Sequence, residues 1–518
     1  MQELKKKTGF VGVICMLFVL CILLFLAEKG AQGTSILTFG DALWYMVVTL
    51  TTVGYGDLYP VTPLGKIIGT LFILSSMGLL AFIFTTVVRI VNSDVRPAVY
   101  LKKHKNDVWY VFSELNEKTL CLIRSIKSAE KGIFICLTDK ADSLSDGIVH
   151  LDSSFEKIIE YKSDRSDLHL IFARECENDY ENYSEYYSTC YSYITDNRLP
   201  FHCYCMTEYV PEVIPVNLIC FNKYENISRL YWNTYPLRTD LGYDEKIVLI
   251  GIGKFGSYIL EQAFERNVIR VGQNVEYHVF GDSRDFQLEH YHLKDYFSVN
   301  KISAEKDAVF FHESSWMVEH SIIEEAGRII ICEDDEKDNL MILSKIRKYF
   351  TVKNPDVLIH VLSAEKINDS DISVFGTTED IYSEELVLLE KLSKTAMNMN
   401  AIYAANNSGA PDWNHLSEFK RQSNLAVADH MDVKMRILNA VSAKDAYEKY
   451  TLLPDEEKMK LWHLEHERWV RFHIVNNWHY AEKRNDSARE HNLIVSFDSL
   501  PYEEKEKDAY SWELLKEL

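Results

Sequence analysis

Three stretches of this 518-residue chain carry residue types that can do chemistry. The first is Thr52-Val53-Gly54-Tyr55-Gly56. Gly54 and Gly56 admit left-handed backbone, which turns successive carbonyls toward one axis, and stacked rings of carbonyl oxygens replace the water shell of a cation. Thr52 would add a ring of hydroxyls at the inner end, and Tyr55 would brace the run from outside. One chain supplies one wall, so several chains must meet. The bland alternative is a glycine-rich turn between two apolar segments. The second stretch is Gly251-Ile252-Gly253-Lys254-Phe255-Gly256. It follows the apolar run 246–250 and opens a helical pattern, the context in which such a turn lays backbone N–H groups against a pyrophosphate. Asp282 would be the acidic partner, later than the usual spacing. The alternative use of these glycines is close packing of helix on sheet. The third is a crowd of Arg468, Arg471, Trp478, Tyr480, Lys483, Arg484, Arg489 and His491 near the end of the chain. Flat rings beside guanidinium groups suit a base and its phosphates. Otherwise the tryptophans form a small core and the arginines face water.

The elements that must position the first stretch are legible on both sides of it. Asp41 to Leu50 is an apolar helix candidate too short to cross a bilayer, suited to a re-entrant pore helix. Apolar runs from Phe10 to Ala27 and from about Lys66 to Val91 flank it, and Lys5, Lys6 and Lys7 precede the first. The lysines place the N-terminus in the cytoplasm, with Arg89 and Arg96 marking the cytoplasmic end of the second run. Everything after about Ser93 is then expected in the cytosol. Gly78, deep in the second run, is a candidate gate hinge, or else a site of close helix packing. Asp41 to Gly65 resembles the pore region of prokaryotic two-span potassium channels. The resemblance implies K+ held by Thr52, Val53, Gly54, Tyr55 and Gly56, a homotetramer in the lipid bilayer, and a multi-pass protein of the inner (plasma) membrane with both termini cytoplasmic.

From about Asp107 the pattern alternates between short apolar strands and helices, which implies parallel, Rossmann-like sheets. Residues 109–112, 132–137, 168–172 and 216–221 read as strands of a first unit, 107–240. Its first turn, Ser113-Glu114-Leu115-Asn116, lacks the glycines that admit a phosphate. A second unit, 241–365, carries the Gly251 motif. The tandem resembles RCK domains, the Rossmann-type regulators of potassium conductance, over roughly 107–365. That family uses the glycine motif sometimes for a nucleotide, at Gly251, Gly253, Gly256 and Asp282 here, and sometimes only for packing. The acidic run 333–336 reads as favourable charge at a helix N-terminus, with a divalent-cation site the sharper alternative.

Residues 366–454 read as a helical connector, with one long segment over 384–404. The tail orders Leu464-Glu465-His466-Glu467-Arg468-Trp469, Asn477-Trp478-His479-Tyr480 and Lys483-Arg484-Asn485-Asp486 ahead of His491. That order resembles the RyR repeat over 455–518, departing from it where Asn477 and Ala481 replace usual glycines. The resemblance implies a small, mainly helical domain that takes a nucleotide-like small molecule. The fold class expected is thus an α-helical two-span pore domain, cytoplasmic α/β Rossmann-like domains and a small helical C-terminal domain.

The formal net charge of −21 argues against nucleic acid as a partner, since phosphates would be repelled. The ten cysteines are scattered, as in a reducing cytosol. His202-Cys203-Tyr204-Cys205 suggests a metal site without the paired spacing zinc needs, and no metal is expected. No general acid–base constellation accompanies the glycine motif, so an oxidoreductase is disfavoured and no enzyme is expected. The expectation is a potassium-selective channel gated by a nucleotide-derived messenger at the RyR-like domain. The alternative is gating by divalent cations or a dinucleotide at the RCK units, with the RyR-like domain an interaction module.

Overall fold

The structure is a computed structural model that describes residues 16–91, 95–129, 132–137, 147–151, 153–162, 164–176, 180–238, 245–303, 306–352, 356–367 and 369–517. Lys5 to Lys7 and the start of the first apolar run lie outside these. The chain forms two compact units, Met1–His104 and Lys105–Leu518.

In the first unit, α1 is described over residues 16–28, followed by α2 (Phe39–Leu50) and α3 (Pro63–Ile90). Thr38 and Asp41 cap α2 reciprocally, each side chain accepting from the other's backbone N–H. Thr62 caps α3 and Pro63 opens it. Leu17, Cys21 and Leu24 of α1 pack with Ala42 and Leu50 of α2 and Ile68 and Phe72 of α3. The buried Glu28 carboxylate at the end of α1 ties the start of α3. It accepts from Val61 N (3.1 Å), Thr62 N (3.0 Å), Thr62 Oγ1 (2.7 Å) and Thr34 Oγ1 (2.8 Å). Gly65 makes room for it, since a Cβ there would stand 2.1 Å from Glu28 Oε1. The 28 residues of α3 reach about 42 Å at 1.5 Å per residue. Its side chains at 77, 79, 80, 82, 83, 89 and 90 fall outside the described ones. Among the described residues no helix is long and apolar enough to cross a membrane.

The second unit holds two parallel sheets. Strands β1 (Val108–Phe112), β2 (Gly132–Leu137), β3 (Ile148–Leu151), β4 (Leu168–Phe172), β5 (Arg198–Met206) and β6 (Val216–Phe221) lie in the order β3-β2-β1-β4-β5-β6. This is the doubly wound Rossmann order. The His202-Cys203-Tyr204-Cys205 run is the middle of β5, with both cysteines buried, and no metal-ligand cluster occurs among the described residues. Helix α4 (Glu117–Ala129) covers one face, and α5 (Lys223–Thr234) leads out.

Strands β7 (Lys246–Ile250), β8 (Glu276–Phe280), β9 (Ser298–Val299), β10 (Ala308–His312), β11 (Arg328–Ile331), β12 (Asp356–His360) and β13 (Ile372–Phe375) form the second sheet, ordered β13-β12-β11-β7-β8-β10-β9. It is the same winding with one strand added at the β10 edge. Helix α6 (Lys254–Arg266) follows β7, and α7 (Glu336–Tyr349) follows β11 with Asp335 as its N-cap. A boundary at 365 therefore falls short, because β13 pairs with β12 beyond it. The segment 384–404 is not one helix either. A single turn at Glu384–Val387 ends, Glu390 takes a left-handed φ of 45°, and α8 (Lys394–Asn406) starts afresh.

Helices α9 (Glu418–Asp429) and α10 (Asp455–Val475) complete the unit, with short strands β14 (His479–Tyr480) and β15 (Glu490–His491) after α10. The tail is not a separate body. Val470, Ile474, Val475, Trp478 and Ile494 share one apolar cluster with Phe264, Val279 and Phe297 of the second sheet's layers. The first Rossmann unit joins the same cluster. Trp232 Nε1 of α5 donates to Ile259 O of α6 (2.9 Å), and Arg229 of α5 reaches Asp429 of α9 (2.7 Å).

Candidate functional site

The cation-coordinating stretch leaves the C-terminus of α2. Thr52, Gly54 and Gly56 stand at φ 61°, 58° and 74°, so every second residue is left-handed. Alternating handedness turns successive peptide planes the same way and so lines their carbonyl oxygens along one side. For Thr52, a β-branched residue, this conformation is strained. It is held by Thr52 N donating to Thr49 O (3.1 Å) and Val53 N to Val48 O (3.0 Å). From outside, Tyr55 stacks on Trp44 of α2, ring centroids 6.1 Å apart and planes 2° from parallel. Trp44 Nε1 donates to Asp57 Oδ2 at 3.0 Å. The run is thus braced at both ends by the helix before it, as a bracing Tyr55 requires. A Cβ on Gly54 or Gly56 would meet nothing within 4 Å, so these glycines are required by backbone conformation alone.

Gly78 lies inside an unbroken α3, and a Cβ there would also meet nothing within 4 Å. Close packing is found instead at Gly69, where the Tyr45 hydroxyl would stand 2.7 Å from an added Cβ.

The Gly251 turn has the required strand–turn–helix form, and its glycines serve close approaches. Gly251 stands at φ 104°, with Glu333 N 2.5 Å from where a Cβ would be. At Gly253 that position lies 2.3 Å from Asp334 Oδ2. The same carboxylate accepts from Lys254 N (3.1 Å) and Phe255 N (3.2 Å), the free amides at the start of α6. An acidic side chain of the chain itself therefore sits where a phosphate would sit, and the helix charge is already answered. Asp282 is engaged by Arg284, whose Nε donates to it at 2.7 Å. The reading of Gly251, Gly253, Gly256 and Asp282 as an open nucleotide site is corrected: any phosphate there must first displace Asp334. The acidic run's role at a helix start holds for Asp335, the cap of α7, while Asp334 serves α6. In the first Rossmann sheet, the Ser113–Asn116 turn is closed by its own side chains: Ser113 Oγ accepts from Ala173 N (2.8 Å), and Asn116 Nδ2 donates to Ala173 O (2.9 Å).

The tail cluster divides in two. Arg468 is buried and donates from Nε and Nη2 to Glu465 Oε1 (2.9 and 2.8 Å). Arg471 is buried and donates to Asp307 Oδ2 of the second sheet unit at 2.6 Å. Trp478 is buried against Phe419 of α9, centroids 5.0 Å apart. His491 is buried, its Nδ1 accepting from Leu493 N (3.1 Å). As ligand contacts, Arg468, Trp478 and His491 are corrected to core, because a buried guanidinium needs its carboxylate and a buried indole its ring partner. Tyr480, Lys483, Arg484 and Arg489 are exposed. Arg484 pairs with Asp486 (2.6 Å), and Arg489 donates to Asn476 O (2.8 Å). Asn477, in place of the expected glycine, takes φ 59°, a conformation that asparagine tolerates better than most side chains.

The structure adds a feature the sequence did not disclose: a cavity of about 430 Å³ between α10 and the second sheet unit. Its floor is one face of α10, with His463, Glu467, Val470, Arg471 and Ile474 at helical spacing. Tyr296, Lys306, Tyr480 and Phe497 also line the cavity. Of the tail residues named from sequence, Arg471 and Tyr480 line it. The i, i+4, i+8 row 463–467–471 was the available signal, masked by the commoner reading of such a row as core.

Comparison with known proteins now bears on the first unit. Residues 10–93 match the ion channel family. Over 64 residues the chain is 44% identical to a voltage-gated potassium channel of Aeropyrum pernix, covering 12% of this chain and 22% of that one. Over 83 residues it is 38% identical to the potassium voltage-gated channel protein Shal of Drosophila melanogaster, covering 16% and 14%. The chain thus spans less than a quarter of the length of these relatives. Among solved structures, the GsuK channel bound to NAD is 12% identical with a TM-score of 0.34, covering 76% of this chain and 86% of that one. The GsuK channel bound to ADP is similar at 12% and 0.34, covering 75% and 99%. The pore resemblance read over Asp41 to Gly65 agrees with the family matched.

Proposed function

We propose that the chain is one subunit of a homotetrameric, potassium-selective channel of the cell inner membrane. Each subunit crosses the bilayer twice, by the apolar runs that contain α1 and α3, and both termini lie in the cytoplasm. The observation that carries this reading is the left-handed backbone at Thr52, Gly54 and Gly56, braced by Trp44 of the preceding short helix. Four such walls make the carbonyl rings that replace the hydration shell of K+. The match of residues 10–93 to the ion channel family supports it. The cytoplasmic RCK-like and RyR-like part senses a nucleotide-derived ligand, which opens the gate only by binding the open state more tightly than the closed one. In α3, Gly78 is the candidate bending point, because a glycine within a helix lowers the cost of a bend there. Gating by a dinucleotide at the Gly251 turn is the lesser reading, because Asp334 fills that cradle.

The test is cation flux into proteoliposomes. Potassium and rubidium should pass far better than sodium. Gly54→Ala and Gly56→Ala should each abolish flux, because left-handed backbone costs an L-residue about 1–2 kcal/mol and the carbonyls must all point one way. Equal sodium and potassium flux through the natural sequence overturns the proposal.

A further inference from the structure

Helix α3 ends at Ile90, and a helix of eight residues, Arg96–Lys103, follows it in the same compact unit. At 3.6 residues per turn its positions divide between two faces. On one of them Leu101 is wholly buried. On the other Val99 is 64% exposed, and Lys102 and Lys103, three and four positions on, are exposed beside it. Val95, one turn before Val99, is exposed as well, so the outer face is apolar first and basic after. Neither lysine side chain has a hydrogen bond or an ion pair among the described residues. Residues 95–105 contain Arg96, Lys102, Lys103 and Lys105 and no carboxylate, in a chain whose formal net charge is −21. Two lysines in a last turn also answer the helix dipole. That role needs no apolar side chain beside them, and it leaves Val95 and Val99 in water.

Residues 91–95 alone separate this helix from α3, at most about 20 Å of extended chain. With α3 crossing the bilayer, the helix starts no farther than that from the cytoplasmic headgroups. An apolar stripe bounded by lysines suits a helix lying in a membrane interface, with the apolar side chains toward the acyl boundary and the ammonium groups reaching up to phosphates. We propose that the outer face of Arg96–Lys103 docks on anionic phospholipid of the cytoplasmic leaflet. Lys102 and Lys103 each pair with a headgroup phosphate, and Val95 and Val99 seat between them. A soluble phosphate would satisfy the lysines and leave the valines exposed, so the occupant is a lipid. The proposal rests on the two-span reading above for its place at the membrane and adds to it the class of lipid that the subunit selects. The chain reaches the sheets only through this helix, so lipid holds the segment that joins pore to sensor.

The test is native mass spectrometry of the purified full-length channel in detergent, given equal amounts of phosphatidylglycerol and phosphatidylcholine. Phosphatidylglycerol should be retained at least fivefold over phosphatidylcholine, since one lysine beside an anionic surface contributes about 1 kcal/mol, a factor of about five. Lys102→Glu combined with Lys103→Glu should remove the preference, and Lys102→Arg combined with Lys103→Arg should keep it. Val99→Ser should reduce phosphatidylglycerol retention at least threefold. All three side chains are exposed, and an unchanged melting temperature confirms that the variants are folded. Equal retention of the two lipids overturns the inference, as does a preference that the double glutamate variant leaves unchanged. Displacement of the lipid by added glycerol phosphate also overturns it, marking a soluble-phosphate site. So does a change of subunit number in that variant, since the face then serves a second copy of the chain. Cation flux in vesicles is measured separately. A lipid preference without selective potassium flux removes the pore reading and leaves the lipid face, and selective flux without the preference does the reverse.

Discussion

Asp334 supplies both hydrogen-bond acceptors for the first amides of α6, and Gly253 exists in this turn to let that carboxylate in. Asp334→Ala should lower stability by about 1 kcal/mol, the usual cost of losing such a cap, seen as a lower melting temperature of the whole chain. Arg471 and Asp307 are more demanding. Asp307 also accepts from Gln273 Nε2 (2.7 Å) and Val275 N (2.7 Å); burial raises its carboxyl, and Arg471 and these two donors pull it back toward the charged form. Arg471→Ala strands that charge in the core and should cost about 3–5 kcal/mol, enough to unfold the second sheet unit in a thermal melt. Asp508 is a second, largely buried carboxyl. Burial, and then the Glu465 carboxylate, hold its carboxyl up at about 8, while Arg468 and Lys434 pull it back and His466 Nδ1 lies 3.6 Å away. Its proton is retained in the fold where the unfolded chain has lost it. Stability should therefore fall as pH rises from about 4 to about 8. Asp508→Asn should flatten that slope, which melting curves across this range would show. At this scale the sequence showed which residues crowd together but not which way they face. Arg468, Arg471 and Trp478 read as an exposed basic and aromatic patch, because their partners lie elsewhere in the chain: Asp307 is 164 residues from Arg471.

Elements were more legible than residues. The runs 109–112, 132–137, 168–172 and 216–221 are strands because a parallel sheet covered on both faces asks for unbroken apolar runs. Strands β3, β9 and β13 escaped notice for the converse reason: they are edge strands of two to four residues without such a run, while the internal strands β5 and β10 were also missed. The split of 384–404 turned on Glu390, whose left-handed φ no periodicity announces. In the first unit, the short helix before the filter stretch was legible from its apolar run and its length. The tie between α1 and α3 was not, because one glutamate following an apolar run reads as a boundary charge. Glu28→Ala leaves the Val61 and Thr62 amides without their acceptor. It should lower the melting temperature of the detergent-solubilised assembly, by an equivalent of about 1–3 kcal/mol.

At the scale of the molecule, the first unit contains only one wall of any ion path, with Tyr55 and Val53 largely exposed in a single chain. A native mass of the purified protein should give four copies, and a dimer or trimer would contradict the pore reading. The division into a helical unit and an α/β unit was legible from the shift in pattern near Asp107. The place of the tail was not, since sequence order suggests an appended domain and the apolar cluster makes it part of the second sheet unit.

That arrangement sets an order of events during synthesis. Asp307 leaves the ribosome 164 residues ahead of Arg471, and at about 5–20 residues per second its counter-charge follows roughly 10–30 s later. Until then Asp307 lacks its guanidinium partner and the second sheet keeps an uncovered apolar face. Nascent chains arrested at residue 454 should therefore be cut by protease within 245–375, while released chains that contain residues 455–518 resist. A stop codon late in the reading frame would remove more than the tail it truncates.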